Sequence, residues 1–279
     1  MPRLTVMMPA YNAAGHITTA IRSTLRAMPR DSELLVLDDC STDDTIKIVA
    51  RFGDSRVRLI TSDENGGGGA ARIRMLLETD SEFVASMDAD DVAFPWRFRM
   101  QLDALKRHDV VFGSAIRFGG GPGRVRPSSV VPLNSDESPS ALLFHNPYFH
   151  PTMAARRDCL LAVGGYRPLR VAQDYELWLR LATAGFRLRR ISVPLIGYRE
   201  SPSQVTRGQD YLDRVRHSPE LRETYVAHAR SRGHLDVTAE TPRSNLSRLL
   251  RSECSHMTVG NRWRYRRLAD RPDLPVPLP

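Results

Sequence analysis

Three carboxylates follow a short apolar run at residues 83–91, which read Phe-Val-Ala-Ser-Met-Asp-Ala-Asp-Asp. The apolar residues predict a buried strand, and ligands bind at the carboxyl ends of the strands of a parallel sheet. Asp88, Asp90 and Asp91 would repel one another there unless a positive charge lies among them. Such oxygen ligands suit Mg²⁺ or Mn²⁺, which are often held by one or two carboxylates and the phosphates of a substrate. A solvated acidic turn is the alternative interpretation.

Polar residues also end two other predicted strands. Tyr11 and Asn12 follow a first apolar run, and Asp38 and Asp39 follow a second. Apolar runs alternate with segments of helical periodicity, which predicts an α/β fold with a mainly parallel, Rossmann-like sheet flanked by helices. The strands are predicted at residues 3–8, 34–37, 57–60 and 83–87. Because parallel strands share one carboxyl edge, the polar residues should gather there in a single site.

A run of four glycines at residues 66–69 follows the third predicted strand. It indicates either a flexible loop or a place where a ligand approaches the backbone at the start of a helix. It is not a Walker A loop, because no Gly-Lys-Ser or Gly-Lys-Thr follows, and it lies after the wrong strand for a dinucleotide-binding turn. Arg72 and Arg74 just beyond are candidate phosphate contacts, and a solvated helix face is the alternative for both.

Asp174 stands at the predicted start of a helix whose apolar face includes Leu177 and Trp178. A carboxylate in that position either caps the helix or acts as a general base. His145 and His150 lie near aromatic residues, where a histidine is more often packed than catalytic. The sequence therefore offers one candidate base and two histidines whose roles stay open.

The composition is that of a folded, basic protein. The chain has 279 residues, 41% of them hydrophobic and 26% charged, with a formal net charge of +8. Its three cysteines lie far apart, which argues against a disulfide framework or a zinc site. No apolar stretch reaches the length of a membrane span, and the N-terminus lacks the layout of a signal peptide. We therefore expect a cytoplasmic protein.

The character of the chain changes after about residue 207. Amphipathic helices are predicted at 209–231 and 236–257, and residues 262–267 interleave arginine with tryptophan and tyrosine. We expect a first domain at residues 1–206 and a helical, basic extension at residues 207–279. The arginine and aromatic residues would suit an anionic membrane surface and hence a membrane-peripheral location, and a solvated helix packed on the first domain is the alternative.

Together these motifs resemble glycosyltransferase family 2, whose members have the GT-A fold. The resemblance covers about residues 3–205 and depends on the order of the motifs as well as on each one. The matching segments are Pro9 to Asn12, Leu37 to Asp43, Asn65 to Arg72, Met87 to Asp91, Tyr148 to Met153, and Gln173 with Asp174. The resemblance implies a GT-A type sheet and a hexosyltransferase activity.

The resemblance also implies how the donor is bound. The donor is a nucleotide-sugar, commonly UDP-linked, whose sugar passes to an acceptor hydroxyl with inversion at the anomeric carbon. Asp39 would accept a hydrogen bond from the uracil ring, and Pro9 and Tyr11 would flank that ring. The full set of expected donor contacts is Pro9, Ala10, Tyr11, Asn12, Asp39, Gly66, Arg72, Asp88 and Ala89.

A metal and a base are implied as well. Asp90, with Asp88, would hold Mn²⁺ or Mg²⁺ to offset charge on the departing diphosphate. Asp174 would take the proton of the attacking hydroxyl. The acceptor would be a saccharide, a lipid-linked saccharide or a small molecule, as in the biosynthesis of cell-envelope polysaccharides. Residues 119–140, rich in Gly, Pro and Ser, would be an exposed, mobile segment that helps to shape the acceptor site.

The chain departs from the family pattern at three positions. Cys40 stands where glycine is usual, and Ile73 stands where asparagine often follows the arginine. Ser201 stands where a histidine is often found. If that histidine is a metal ligand or a phosphate contact in the family, this chain lacks it, and Gln204 is a candidate substitute.

Three other functions compete with sugar transfer. A nucleotidyltransferase would show a glycine-rich loop with Lys or Arg directly after the first strand, where this chain has Pro-Ala-Tyr-Asn. Ser201 and Cys40 leave a non-catalytic sugar-nucleotide-binding module open, but the intact Asp88, Asp90 and Asp174 speak against it. No recognisable reading motif accompanies the positive charge, so we expect no nucleic acid partner.

Overall fold

The computed structural model describes residues 1–120, 124–128, 131–201, 211–241 and 246–269. Within these ranges the chain forms a nine-stranded sheet flanked by helices. No helix in the described ranges is long and apolar enough to span a membrane.

The elements are numbered in chain order. The strands are β1 (Leu4–Ala10), β2 (Ser32–Asp38), β3 (Val57–Thr61), β4 (Phe83–Ser86), β5 (Val92–Ala93), β6 (Val110–Gly119), β7 (Val125–Pro127), β8 (Ala154–Arg156) and β9 (Leu188–Glu200). The helices are α1 (Ile17–Ala27), α2 (Thr45–Ala50), α3 (Gly67–Leu77), α4 (Arg97–Ala104), α5 (Ser138–Leu142), α6 (Arg157–Ala162), α7 (Gln173–Thr183), α8 (Tyr211–Arg216), α9 (Pro219–Ser231), α10 (Leu246–Glu253) and α11 (Val259–Ala269). Short 3-10 helices lie at His150–Thr152 and Cys254–His256.

The strand order in the sheet is β3-β2-β1-β4-β8-β6-β9-β5, with β7 paired to β6. The strands β3, β2, β1 and β4 are parallel, which confirms the prediction for that half of the sheet. β8 runs antiparallel to both β4 and β6, so the sheet as a whole is mixed. The register pairs Ala10 with Asp38 and Met7 with Ser86, and the ends of β1, β2 and β4 therefore lie at one edge.

Side chains of the central strands alternate between two hydrophobic cores. On one face of the sheet, Val6 and Met8 pack in a cluster with Ile17 of α1. On the other face, Met7 packs in a cluster with Met75 of α3 and with residues of α5 and α7. Parallel strands that are buried on both faces carry nearly continuous apolar runs. That burial is the reason these strands were recognisable in the sequence.

The helices after residue 210 pack on the core that contains α7. Tyr225 of α9 and Tyr265 of α11 are buried in the same hydrophobic cluster as β1 and α7. The Tyr225 hydroxyl donates to the carbonyl oxygen of Leu143 at 2.7 Å, and Ser140 Oγ donates to Glu253 Oε2 at 2.6 Å. The predicted boundary between residues 206 and 207 lies outside the described residues, so the division into two domains stays a prediction.

The structure decides between the two interpretations of one segment and differs from the prediction in two others. The glycine run was open to interpretation as a loop, but α3 begins at Gly67. Residues 119–140 were predicted to be exposed and mobile, yet they include β7 and part of α5 and bury Leu133 and Glu137, while residues 121–123 and 129–130 lie outside the described ranges. Within the helix predicted at 236–257, the described α-helical residues are those of α10. The structure of these segments depends on contacts with residues far away in the chain.

Candidate active site

Three loops at the edge of the sheet contain a non-glycine residue with positive φ. Asn12 after β1 has φ 48°, Cys40 after β2 has φ 65°, and Ala172 before α7 has φ 53°. This conformation costs roughly 1–2 kcal/mol for a residue with a side chain, and such strain is found mainly at functional sites. The positive φ of Cys40 also explains why glycine, which adopts it freely, is usual at this position of the motif.

In the loop after β1, Tyr11 is exposed and Asn12 holds a neighbouring loop. Asn12 Oδ1 accepts a hydrogen bond from the backbone N–H of Thr42 at 2.8 Å, so this side chain holds the neighbouring loop. Ala10 is buried, and its carbonyl oxygen accepts from the backbone N–H of Asp39 at 2.8 Å. Tyr11 is 52% exposed. The exposed Tyr11 ring is therefore a part of this loop that a ligand at the edge can contact.

The two adjacent aspartates at the end of β2 make different contacts. Asp38 is fully buried, and its Oδ2 accepts from the backbone N–H of Ser41 at 2.9 Å. Asp39 reaches the start of α3, where its two oxygens accept from the backbone N–H groups of Gly66 at 3.1 Å and Gly67 at 2.8 Å. A carboxylate has about four acceptor positions. Asp39 can therefore hold α3 and still accept a hydrogen bond from a ligand.

Close contacts explain the glycine run. Gly67 has φ +76°, which favours glycine. A Cβ on Gly68 would lie 2.6 Å from Arg72 Nη1, and a Cβ on Gly69 would lie 2.7 Å from the carbonyl oxygen of Leu169. The absence of side chains therefore leaves room for the Arg72 side chain over Gly68 and allows α3 to approach the segment that leads into α7.

Arg72 faces the candidate site, whereas Arg74 does not. Arg72 is 6% exposed, and it donates to the carbonyl oxygen of Gly68 and to Asp88 Oδ1, both at 3.0 Å. Arg74 donates to the carbonyl oxygen of Thr61 in β3 at 2.6 Å. Side chains two positions apart on a helix point to different sides. Arg74 therefore points away from the aspartate segment in this structure, and its contact with phosphate stays a prediction.

The aspartates after β4 divide into an inner one and two outer ones. Asp91 is 1% exposed, and its Oδ1 accepts from the backbone N–H of Arg199 at 2.8 Å. Burial and the charges of Asp88 and Asp90 raise the pKa of Asp91 well above its usual value. Burial and the charge of Asp88 also raise the pKa of Asp90. Asp88 and Asp90 are only partly buried and flank the buried Ala89, so they are the two that a ligand can reach.

Asp88 and Asp90 fit a divalent cation that a substrate helps to hold. The described residues contain no group of three or more His, Cys, Asp or Glu side chains that could hold a metal ion by itself. The repulsion that raises the pKa of Asp90 would fall if a cation lay between the two carboxylates. Ions such as Mg²⁺ commonly use one or two carboxylates and complete their coordination with phosphates and water.

Arg97 is a buried charge near the site that the sequence analysis missed. It has no exposed surface, and its guanidinium donates to the carbonyl oxygens of Ser86 and, at 2.7 Å, Pro151. Burial lowers the pKa of Arg97 to about 9, while the charges of Asp91 and Asp88 act in the opposite direction. Arg97 therefore supplies positive charge from inside the protein. In the sequence, the only indication of this role was a charged residue at a helix position that faces the core.

Asp174 occupies the first turn of α7, as predicted. Asn146 Nδ2 donates to Asp174 Oδ2 at 2.8 Å. Burial raises the pKa of Asp174, although the hydrogen bonds from Tyr175 and Asn146 and the charge of Arg72 act against that rise. A partly buried carboxylate with a raised pKa has the character of a general base.

Tyr166 lies where α3, the aspartate segment and α7 meet. Its hydroxyl shares a hydrogen bond of 2.9 Å with His150 Nε2. Burial raises the pKa of Tyr166, and the charges of Arg72, Asp174 and Asp88 all act on that pKa. Burial and the charge of Arg72 lower the pKa of His150 well below its usual value, so His150 is neutral. The structure thus brings Arg72, Asp88 and Asp174 around one buried pair.

The remaining predicted candidates lie away from this arrangement or outside the described residues. Burial, with the charges of Arg264 and Arg190, lowers the pKa of His145 to about 3. His145 is therefore a packed, neutral residue. Ser201 directly follows β9, and Gln204, its candidate substitute, lies outside the described residues.

Comparison with known proteins places the chain in a family. The model of the family described as Glycosyl transferase family 2 matches residues 5–164, more than half of the chain. The protein named "Putative glycosyltransferase EpsE" of Bacillus subtilis (strain 168) is 29% identical over 218 residues, which cover 74% of this chain and 76% of that protein.

Two solved structures share the fold. S. aureus TarS 1–349 in complex with UDP-GlcNAc matches with a TM-score of 0.65 and 18% identity, over 92% of this chain and 82% of that one. The mannosyltransferase PcManGT from Pyrobaculum calidifontis, in complex with GDP-Man and Mn²⁺, matches with a TM-score of 0.57 and 20% identity, over 96% of this chain and 73% of that one. At these identities the likeness concerns the fold.

Proposed function

Because the chain belongs to glycosyltransferase family 2, we propose that it transfers a hexose from a UDP-linked donor to an acceptor hydroxyl with inversion. The observation that carries the proposal is the meeting of three groups at the edge of the sheet. Asp39 accepts hydrogen bonds from the start of α3, Asp88 pairs with Arg72 and is followed two residues later by Asp90, and Asp174 lies at the start of α7. These groups correspond to a base-recognition point, a diphosphate site and a general base.

The nucleoside would bind against the loops after β1 and β2. The free acceptor positions of Asp39 suit the N–H of a uracil ring. The exposed ring of Tyr11, which follows Pro9 and Ala10 in β1, suits stacking on that base. The backbone hydrogen bond between Ala10 and Asp39 keeps the two loops together.

The diphosphate would bind between the aspartate segment and α3. Asp90 and Asp88 would hold a Mn²⁺ or Mg²⁺ ion, which would offset charge on the departing diphosphate as a Lewis acid does. Arg72 adds a positive charge at this point and leaves Asp88 one carboxylate oxygen free of its ion pair. The Mn²⁺ in the complex of PcManGT supports a metal in this fold.

Asp174 would act on the acceptor. The acceptor oxygen forms a bond to the anomeric carbon, the bond from that carbon to the diphosphate oxygen breaks, and the diphosphate leaves with the bonding electrons. The proton of the acceptor hydroxyl passes to Asp174. One positioned base is sufficient for an inverting transfer, and such a base contributes ~10²–10⁴-fold. The donation from Asn146 orients the carboxylate for this task.

Family membership favours a catalytic transferase over the non-catalytic module, the nucleotidyltransferase and the nucleic acid binder. The acceptor class, whether a saccharide, a lipid-linked saccharide or a small molecule, stays a prediction. The same holds for a role in the biosynthesis of cell-envelope polysaccharides and for a cytoplasmic location.

The first test is calorimetric titration with UDP, with Mn²⁺ present and then with a chelator. We expect binding that needs Mn²⁺ and that Asp90→Ala weakens at least tenfold, because the carboxylate ligand is lost. The matched control is Asp80→Ala, whose side chain is 75% exposed before β4. Equal affinity with chelator would remove the metal from the proposal. Binding of GDP or TDP in place of UDP would overturn the choice of base, and no binding of any of them would overturn the donor site.

A further inference from the structure

The helix α11 has two faces of different chemistry. Asn261, Tyr265 and Ala269 point into the protein and are buried. Val259 is 82% exposed and Trp263 is 65% exposed. The α11 face, as we name it, consists of Val259, Arg262, Trp263, Arg266 and Arg267, which are all exposed. These positions follow the spacing i, i+3, i+4, i+7 and i+8 and form one stripe along the helix.

All the charged residues of the α11 face are basic. The eleven residues of α11 read Val-Gly-Asn-Arg-Trp-Arg-Tyr-Arg-Arg-Leu-Ala, with no acidic residue. The guanidinium of Arg267 lies 4.8 Å from the centre of the Trp263 ring. A solvated helix face usually mixes both signs of charge and avoids large exposed apolar side chains. This face has one sign of charge and a tryptophan at its middle.

Buried contacts on the opposite side hold the orientation of α11. Asn261 Nδ2 donates to both carboxylate oxygens of Glu137 at 3.1 Å. The ring of Tyr265 packs edge-on against Phe144 with centroids 4.9 Å apart. Rotation of the helix would break both contacts. Trp263 is therefore held outward by the fold.

We propose that the α11 face docks the protein on an anionic lipid surface. Arginines attract the phosphates of anionic lipids, and tryptophan prefers the level of the headgroups. The apolar surface of Val259 extends the same stripe at one end of the helix. Charge complementarity and the exposed tryptophan together favour a lipid surface over nucleic acid, since no recognisable nucleic-acid reading motif accompanies this stripe in the sequence.

The same helix lies next to the segment that reaches the proposed base. The Tyr265 ring lies 5.8 Å from the His145 ring, and the neighbouring Asn146 donates to Asp174. Docking through the α11 face, which lies on the opposite side of the helix from Tyr265, would place a membrane one helix away from this segment. This functional consequence rests on the proposed function, whereas the docking itself does not.

The test is sedimentation of the full chain with vesicles of phosphatidylcholine alone, and of phosphatidylcholine with a quarter of phosphatidylglycerol. We expect binding to the anionic vesicles only. Replacing Arg262, Arg266 and Arg267 by glutamine should weaken it roughly 100-fold, since each arginine near such a surface contributes about fivefold. Trp263→Ala should weaken it further. Thermal denaturation would check that each variant keeps its fold without requiring donor binding or transfer activity.

The matched control replaces three exposed arginines elsewhere, Arg22, Arg26 and Arg51, by glutamine. This control loses the same net charge, so we expect its vesicle binding to stay near that of the original chain. An equal loss in the control would overturn the assignment to α11. Absence of binding to anionic vesicles, or tighter binding to an RNA oligonucleotide that the same variant abolishes, would overturn the lipid proposal.

Discussion

Replacing Asp174 by asparagine tests the proposed general base while leaving the surrounding structure intact. Asparagine has nearly the same volume, and its side-chain oxygen can accept the 2.8 Å hydrogen bond from Asn146. The variant loses only the negative charge and the capacity to take a proton. We therefore expect a folded protein with the donor site intact, because Asp39, Asp88 and Asp90 are unchanged.

The expected loss of activity follows from the role of a base. A positioned general base contributes ~10²–10⁴-fold. At 1.36 kcal/mol for each factor of ten, the barrier should rise by about 2.7–5.4 kcal/mol. The turnover of sugar transfer at saturating donor and acceptor should therefore fall at least 100-fold, while the affinity for UDP stays constant.

The same substitution should make the protein more stable at pH 7. Burial raises the pKa of Asp174 above its usual 3.8 in the folded protein. When the pKa of a carboxyl is higher in the folded than in the unfolded state, ionisation of that carboxyl destabilises the folded protein. Above the folded pKa, this lowers the free energy of unfolding by about 1.4 kcal/mol for each unit of the rise. Asp174→Asn removes this cost, so the melting temperature should rise at pH 7. The gain should disappear as the pH falls below 3.8, where the carboxyl is protonated in both states.

The assay combines sugar transfer with thermal denaturation. Asp158→Asn is the matched control, since Asp158 lies in the first turn of α6 and is exposed. We expect the control to keep both turnover and melting temperature. Turnover of Asp174→Asn within tenfold of the original enzyme would refute the base assignment. A lower melting temperature together with lost turnover would show that Asp174 is a structural residue.

Two further substitutions test a close backbone contact at α3 and the buried carboxylate of Glu253 in α10. Gly69→Ala should lower the free energy of unfolding by about 1–3 kcal/mol in urea denaturation, because its Cβ would lie 2.7 Å from the carbonyl oxygen of Leu169. Gly53→Ala, with open space around the new Cβ, is its control, and an equal loss in both would contradict the argument. Burial opposes the ionisation of Glu253, but hydrogen bonds from Ser140 and His234 and the charge of Arg232 together hold its pKa below the usual 4.5. Glu253→Gln should therefore reduce stability at pH 7, and the difference from the original chain should close as the pH falls below 4.5; a difference independent of pH would contradict this.

The sequence was sufficient to predict the parallel half of the sheet. Because β1, β2 and β4 are buried on both faces, their apolar runs were unbroken and easy to recognise. Parallel strands share a carboxyl edge, and the placement of Tyr11, Asp39 and Asp88 together followed from that rule. The order of the motifs was then enough to identify the family.

The functions of the glycine run and of Arg97 could not be predicted. Gly69 is required by the carbonyl oxygen of Leu169, which belongs to a distant part of the chain. Arg97 is buried because the carbonyl oxygens of Ser86 and Pro151 accept its hydrogen bonds. The carbonyl groups that contact Gly69 and Arg97 cannot be recognised from the residues next to that glycine or that arginine in the sequence.

By itself, the sequence determined the alternation of strands and helices and the chemical identity of the candidate site, because hydrophobic periodicity and motif order belong to each segment. Only the tertiary structure decided that Asn146 meets Asp174, that Arg72 rather than Arg74 faces the aspartates, and that Tyr265 is buried while Trp263 is exposed. These outcomes depend on contacts between residues far apart in the chain, and the energies of such contacts are absent from any local pattern.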